Sequence, residues 1–353
     1  MTRQSQTTYD VCIVGSGAGG GMAAYALTQA GANVVMLEAG AWWDNGKDAF
    51  MMRANADSPR RGGGTPDKPF GEFDACVGGW NLEGEPYTQA AGTNFQWWRA
   101  RMLGGRTNHW GRISLRFGPD DFRRGALDGL SPDWPLTYDE LKPYYDRLDT
   151  LVGVFGSNEG IRNQPDGVFM PPPRPRGYEL LIKQSADRLG IPCIPSRLSI
   201  LTRPLNGRLA CHYCGQCNRG CTVNANFTSP NVLIFPAQKT KKLTVIANAM
   251  AREVTVGTDG LATGVSYIDT RTRRDMHVNA RIVVLAASAL ESARILLNSR
   301  SQKFPQGLAN ASGVLGKYIT DSTGTDVFGF IPDLVDVPSA NEDGVGGAHV
   351  YMP

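Results

Sequence analysis

Residues 10–15, DVCIVG, form a short apolar run. Such a run suits a parallel strand, which is buried on both faces. The glycine-rich stretch GSGAGGGMAAYALTQAG follows, and Met22 to Gln29 within it predicts a helix that ends near Gly31. A second apolar run, NVVMLEAG, predicts a second strand. Much later, residues 243–268 predict strand, strand, turn, strand, with Asp259-Gly260 as the turn signal. Residues 280–299, ARIVVLAASALESARILLNS, predict a β-rich run, a small-residue turn and a helix from near Ala289. Between these regions, LTYDELKPYYDRLDTLVG (136–153) predicts a helix capped at Thr137. Its expected core stripe is Leu141, Tyr145, Leu148 and Val152, and Pro143 is expected to kink or restart it. The Gly/Pro-rich stretches 56–74 and 165–177 predict irregular surface loops, and no internal repeat is visible.

The glycines after the first strand carry candidate chemistry. Gly15, Gly17 and Gly20 match G-x-G-x-x-G, and Glu38 stands near the end of the second strand. Glycines let the turn close and let the backbone approach a pyrophosphate at a helix N-terminus. A terminal acid accepts hydrogen bonds from ribose hydroxyls. The arrangement predicts a dinucleotide site and suits FAD and NAD alike.

Composition narrows the partners. The 353 residues suffice for two domains or for one large domain with an inserted cap. A net charge of +3, without a basic block, argues against nucleic acid. No apolar run nears the roughly 18 residues that span a bilayer, so no membrane span is expected. The N-terminal MTRQSQTTYD lacks the apolar core of a secretory signal, so a cytoplasmic site of folding is expected.

Taken together, YDVCIVGSGAGGGMAA, LGGRTNHWG (103–111), VVLAASALESARILLNS and GVLGKYITDST (313–323) resemble the glucose–methanol–choline (GMC) oxidoreductase family of FAD enzymes. The resemblance implies an α/β fold: a discontinuous, Rossmann-like FAD-binding domain with an inserted α+β substrate domain. Residues 1–55, 95–125 and 240–300 then belong to the FAD domain. Residues 56–94, 126–239 and 301–353 belong to the substrate and cluster region. It further implies flavin contacts at Gly104, Gly105, Asn108, His109 and Ala287. Val254 falls where the family's backbone meets the adenine, although a single valine reads equally as plain core. Thr107-Asn108-His109-Trp110 is similar to the element by which pyranose oxidases attach FAD covalently, and the extra asparagine leaves both a covalent link and a simple contact open.

Four of the seven cysteines, Cys211, Cys214, Cys217 and Cys221, form C-x2-C-x2-C-x3-C. Disulfides fit poorly with a chain that carries no export signal. Zinc sites draw on two separated pairs more often than on one run. The spacing matches the run that wraps an iron–sulfur cluster in bacterial ferredoxins, without the proline that usually follows. Within the GMC family it resembles glucoside 3-dehydrogenase and gluconate dehydrogenase large subunits. That likeness implies a three-iron or four-iron cluster and oxidation of a sugar or glycoside hydroxyl. It also implies a one-electron acceptor such as cytochrome c, and a small partner subunit whose export signal carries the complex to the periplasm. The alternatives are an oxygen-using GMC oxidase and a non-catalytic electron-transfer module. Cys12, Cys76 and Cys193 read as buried thiols without a redox task.

The family's catalytic histidine lies near the end of a longer chain. His109, His212, His277 and His349 do not match its motif, so the catalytic base is unassigned. The expectation is a C-terminally truncated chain that binds FAD poorly.

Overall fold

The structure is a computed structural model. It describes residues 3–61, 63–65, 68, 70–319, 324, 327–338 and 350–353. Six strands make the main sheet: β1 (Arg3–Val14), β2 (Val34–Leu37), β3 (Leu243–Ile246), β4 (Ala249–Val256), β5 (Ala262–Asp269) and β6 (Asp275–Leu285). Their order is β3-β2-β1-β6-β5-β4. The first four in that order run parallel, while β6, β5 and β4 form an antiparallel meander.

The short apolar runs are the parallel strands. Val11 to Val14 pair in register with Val34 to Leu37 on one side and with Ile282 to Leu285 on the other. Side chains alternate between the two faces with period two. Val11, Ile13, Val34 and Met36 therefore enter one core, and Cys12, Val14, Val35 and Leu37 enter another. Helix α1 (Ala18–Gln29) joins β1 to β2 and starts at Ala18, earlier than the expected Met22. Helical glycine costs roughly 1 kcal/mol relative to alanine. Here close packing demands it, because a Cβ on Gly20 would lie 1.9 Å from the Gly15 carbonyl oxygen.

The chain divides into two compact units. One comprises residues 1–109, 218–220 and 228–325, and the other 110–217, 221–227 and 326–353. The stretch 56–94, assigned to the substrate region by resemblance, thus lies in the unit that holds the main sheet. The backbone ties it there: Gly78-Gly79 pair with Arg99-Ala100, and Ala75 N donates to the Asn218 carbonyl.

The second unit contains α2 (Tyr138–Val152) and α3 (Gly177–Arg188) and a core around Phe155, Leu198, Ile200 and Leu201. Thr137 caps α2, as expected, and Glu140 reaches back to the Thr137 amide to complete a reciprocal pair. The helix runs unbroken through Pro143. Its inward stripe differs from the expected one: Tyr138, Asp149 and Val152 are buried, whereas Leu148 is 37% exposed. Asp149 faces inward because the buried Arg116 guanidinium donates to it, to Asp146 and to the Tyr138 hydroxyl. An ion pair has displaced a leucine. The last helix, α4 (Ala289–Asn298), follows β6 in the first unit. Among the described residues, no helix is long and apolar enough to cross a membrane.

Candidate cofactor site

The turn between β1 and α1 is held by backbone contacts. Gly15 adopts φ +96°, and a Cβ there would lie 2.4 Å from the Ala286 carbonyl oxygen and 2.9 Å from Ala287 Cα. Only glycine tolerates that conformation together with that proximity. Ala286 N donates to the Val14 carbonyl at 2.8 Å, so the turn after β6 rests directly on the turn after β1. Gly17 differs from both neighbours, since a Cβ on it would meet nothing within 4 Å. It precedes α1, which has no side-chain cap and no acidic residue in its first turn. The first amides of α1 and their positive dipole end are thus left for an anion in open space.

Glu38 is buried at the end of β2. Its carboxylate accepts from Gly40 N (2.8 Å), from Ser16 N (3.2 Å) and from the Ser16 hydroxyl. Burial pushes its pKa up, and the hydrogen bonds from Ser16 and Gly40 and the Arg101 charge pull the other way. The Ser16 hydroxyl also accepts from Gly104 N at 2.8 Å. One side chain therefore couples the glycine turn, the acid and the 104–108 loop. Ser229 adds a second clamp, with its hydroxyl donating to the Ser16 carbonyl (2.8 Å) and the Gly17 carbonyl (3.1 Å) and its N–H donating to Thr107 Oγ1 (3.0 Å). Sequence reasoning missed both serines. Ser16 occupies an unspecified position of the glycine motif, and Ser229 lies 213 residues away with only a following proline as a local signal.

Residues 105–108 form one tight helical turn after Gly104, which has φ +88° and abuts Pro230. Asn108 Nδ2 donates to the carbonyls of Leu103 (2.8 Å) and Gly105 (3.2 Å), while its Oδ1 is buried without a hydrogen-bond partner. A buried acceptor left unpaired costs about 1–3 kcal/mol, so it marks a place where a donor from outside the chain fits. His109 stacks on Phe70 (ring centroids 4.5 Å apart) and on Trp98 (5.9 Å), and its Nδ1 lies 3.0 Å from Asp74 Oδ1.

The structure thus gathers Gly15, Gly17, Gly20, Glu38, Gly104, Gly105, Asn108 and Ala287 through direct contacts or adjacent backbone. Val254 is placed differently. It is buried in the core cluster of Cys12 and Leu37, with its N–H already given to Ser299 Oγ at 2.9 Å. The open position at Gly17, the uncapped α1 terminus, the acid at the strand end and the unpaired Asn108 oxygen all fit a flavin dinucleotide. His277 lies in β6 with Ser266 Oγ 3.4 Å away, His212 is exposed, and His349 falls outside the described residues.

The cysteine loop presents another picture. All seven cysteines are free thiols. In the loop, Cys221 is buried, Cys211 and Cys217 are half-buried, and Cys214 is exposed. The thiol of Cys211 accepts from Tyr213 N (3.4 Å) and that of Cys221 from Ala225 N (3.3 Å). Burial pushes Cys211 up to about 11 and raises Cys221 as well, which favours their protonated forms. Among the described residues, no three His, Cys, Asp or Glu side chains are gathered so as to hold a metal ion. The expected set of metal ligands is therefore not assembled as a cage. Its segment has one short helical turn, Cys217–Arg219, and no strand to fix four sulfur positions. The arrangement does not fit a cluster as it stands, and no step is derived through one.

An α/β sheet with a glycine turn, a terminal acid and a second loop folded onto that turn defines a dinucleotide-binding protein of the flavoprotein type. The chain matches the GMC oxidoreductase family over residues 18–306 and belongs to it. It is 33% identical over 325 residues to 2-methyl-1,2-propanediol dehydrogenase of Mycolicibacterium austroafricanum, which covers 90% of this chain and 56% of that protein. It is 30% identical to paromamine 6'-oxidase of Streptomyces fradiae (96% and 58% covered). It is 26% identical to the fructose dehydrogenase large subunit of Gluconobacter japonicus (89% and 58%). The chain spans a little over half the length of these relatives. The fold is also that of pyridoxine 4-oxidase from Mesorbium loti, with a TM-score of 0.53, 20% identity, and 83% of this chain and 52% of that one covered.

Proposed function

We propose that this chain forms the cofactor-binding part of an FAD-dependent oxidoreductase that oxidises a CH–OH group of a sugar or related alcohol to a carbonyl. The observation that carries the reading is the Ser16 junction, which joins the glycine turn, Glu38 and Gly104 into one formed pocket wall. FAD, when bound, supplies acceptance of a hydride equivalent from the carbinol carbon. The residues of this chain bind and orient. The α1 terminus would hold the pyrophosphate, Glu38 would accept from ribose hydroxyls, and Asn108 Oδ1 would accept a hydrogen from the bound group. Support for a sugar or small-alcohol substrate comes from the names of the relatives, among them fructose dehydrogenase and paromamine 6'-oxidase.

The finer part of the proposal concerns the acceptor. The C-x2-C-x2-C-x3-C spacing supports a loop that closes around an iron–sulfur cluster on metal loading, with a cytochrome c as partner and a small export-signal-bearing subunit for passage to the periplasm. Relatives named oxidases favour a second reading, in which oxygen is the acceptor. One experiment separates the two. The protein is prepared anaerobically, assayed for iron, zinc and FAD, and mixed with fructose or 2-methyl-1,2-propanediol, with ferricyanide or oxygen offered in turn. The proposal expects iron, substrate-dependent flavin bleaching and ferricyanide reduction. Peroxide formation without iron supports the oxidase reading, and a protein that takes up no FAD sinks both.

A further inference from the structure

The loop that precedes the 104–108 turn forms a half-open recess that the assembly above does not use. It measures about 360 Å³, and its lining includes Asn81, Glu85, Tyr87, Gln89, Phe95 and Arg99. That volume suits a small organic ligand. The Arg99 guanidinium, almost wholly buried, lies beside the rings of Tyr87 (5.2 Å) and Trp97 (4.9 Å) and donates to the Glu85 carbonyl at 2.7 Å. The Tyr87 hydroxyl accepts from Trp97 N at 2.9 Å. Arg99 Nη1 also lies 3.5 Å from a Glu85 carboxylate oxygen, so the two charges of the lining pair with each other.

The chemistry of the walls selects a ligand class. Two aromatic rings, Tyr87 and Phe95, stand edge to face with centroids 6.5 Å apart. The apolar C–H face of a pyranose packs on such surfaces. Asn81 and Gln89 are exposed amides at the rim, and Gln89 Oε1 already accepts from Phe95 N at 2.6 Å, which leaves its NH₂ to donate. The lining carries one cation, Arg99, and one anion, Glu85, and the Glu85 carboxylate is itself bound by Arg101 at 2.6–3.1 Å. A balanced lining offers no surplus charge to a phosphate or a carboxylate. We propose that this recess is a subsite for a neutral sugar ring, seated on Tyr87 and Phe95, with its hydroxyl oxygens accepting from the amide groups of Asn81 and Gln89. The subsite deepens the reading above and rests on its sugar substrate.

The test titrates the 353-residue chain with methyl α-glucoside and, separately, with gluconate and inorganic phosphate, following tryptophan fluorescence, because Trp97 packs on Arg99 and Tyr87 of the lining. A single ring held by a few hydrogen bonds is expected to bind with a Kd of about 1–10 mM, at least about tenfold tighter than either anion. Asn81→Ala with Gln89→Ala is expected to weaken glycoside binding about tenfold at an unchanged melting temperature, since both residues are exposed. Ligand-observed NMR on the wild-type chain should show saturation transfer to one face of the ring. Absence of saturable glycoside binding, indifference to the double variant, or anion binding as tight as glycoside binding would each overturn the proposal. Gly17→Val separates it from the functional reading: loss of flavin with retained glycoside binding leaves the subsite standing, whereas flavin-competent protein that ignores glycosides sinks the subsite alone.

Discussion

The glycine turn and the cysteine loop are both short, glycine-bearing segments named by a spacing motif, yet the fold treats them differently. The turn is held by the chain's own contacts. Gly15 and Gly20 sit against backbone atoms, Ser16 and Ser229 tie three distant segments to it, and adjacent parallel strands fix both of its ends. The loop has thiols in three different degrees of exposure and only a three-residue turn of its own. The contrast follows from what each site is made of. A site of backbone amides and dipoles inherits its geometry from the sheet, whereas a site of four side-chain sulfurs needs either a scaffold or the metal itself to hold them.

The sharpest way to break that comparison is within the turn. Gly20→Ala places a methyl group 1.9 Å from the Gly15 carbonyl oxygen, so a loss of about 3 kcal/mol or more is expected in a denaturant titration. Gly17→Val enters open space and should change stability by no more than about 0.5 kcal/mol while abolishing FAD binding. If both variants behaved alike, the turn would not be the self-supporting element described above.

A smaller effect is expected at Glu38. Burial raises its pKa, so the fold favours the protonated carboxyl; that contribution is complete below the unfolded pKa and lost as pH rises through the folded one. Glu38→Gln removes the ionisation. The variant should therefore be at least as stable as the wild type at neutral pH while binding FAD about tenfold more weakly, the cost of about 1.4 kcal/mol in hydrogen bonding to ribose. Equal affinity by calorimetry would remove Glu38 from the site.

The smallest effect concerns the thiols. Burial raises Cys12 to about 12 and Cys76 and Cys211 to about 11, from an ordinary 9.0. Their folded-state pKa values exceed the unfolded ones, so the stability they contribute is intact below pH 9 and declines from there toward pH 11–12. The denaturant midpoint should fall across that window. In the loop, the exposed Cys214 should react first with a thiol reagent at neutral pH, and equal rates for Cys214 and Cys221 would show that the loop's graded burial is wrong.

Much of the first unit was legible from local pattern. The last part of the first strand from residue 10, the strands at 34–37, 243–246, 249–256 and 262–269, the turn at Asp259-Gly260 and the helix cap at Thr137 all follow from period, composition and turn chemistry acting over a few residues. The glycine motif announced itself because steric rules at one turn admit no other residue. The early start of α1, the inward Asp149 in place of Leu148 and the roles of Ser16 and Ser229 were not legible. Each is decided by a partner far along the chain: Gly15 against Ala286, Arg116 against Asp149, Ser229 against the residue 16 carbonyl. Val254 shows the same limit from the other side, because only Ser299, 45 residues on, shows where its amide is spent.

By itself, then, the order of residues determined which segments are strand, helix and turn, and which glycines a dinucleotide needs, since those depend on interactions a few residues long. Tertiary structure alone decided which side chains meet around the turn, that the 81–99 loop forms a half-open recess walled by Tyr87, Phe95 and Arg99, and that four thiols adjacent in sequence are not gathered into a metal-holding cage. Nearness along a chain places atoms within reach of one another, but only packing against the rest of the protein sets their distances and orientations.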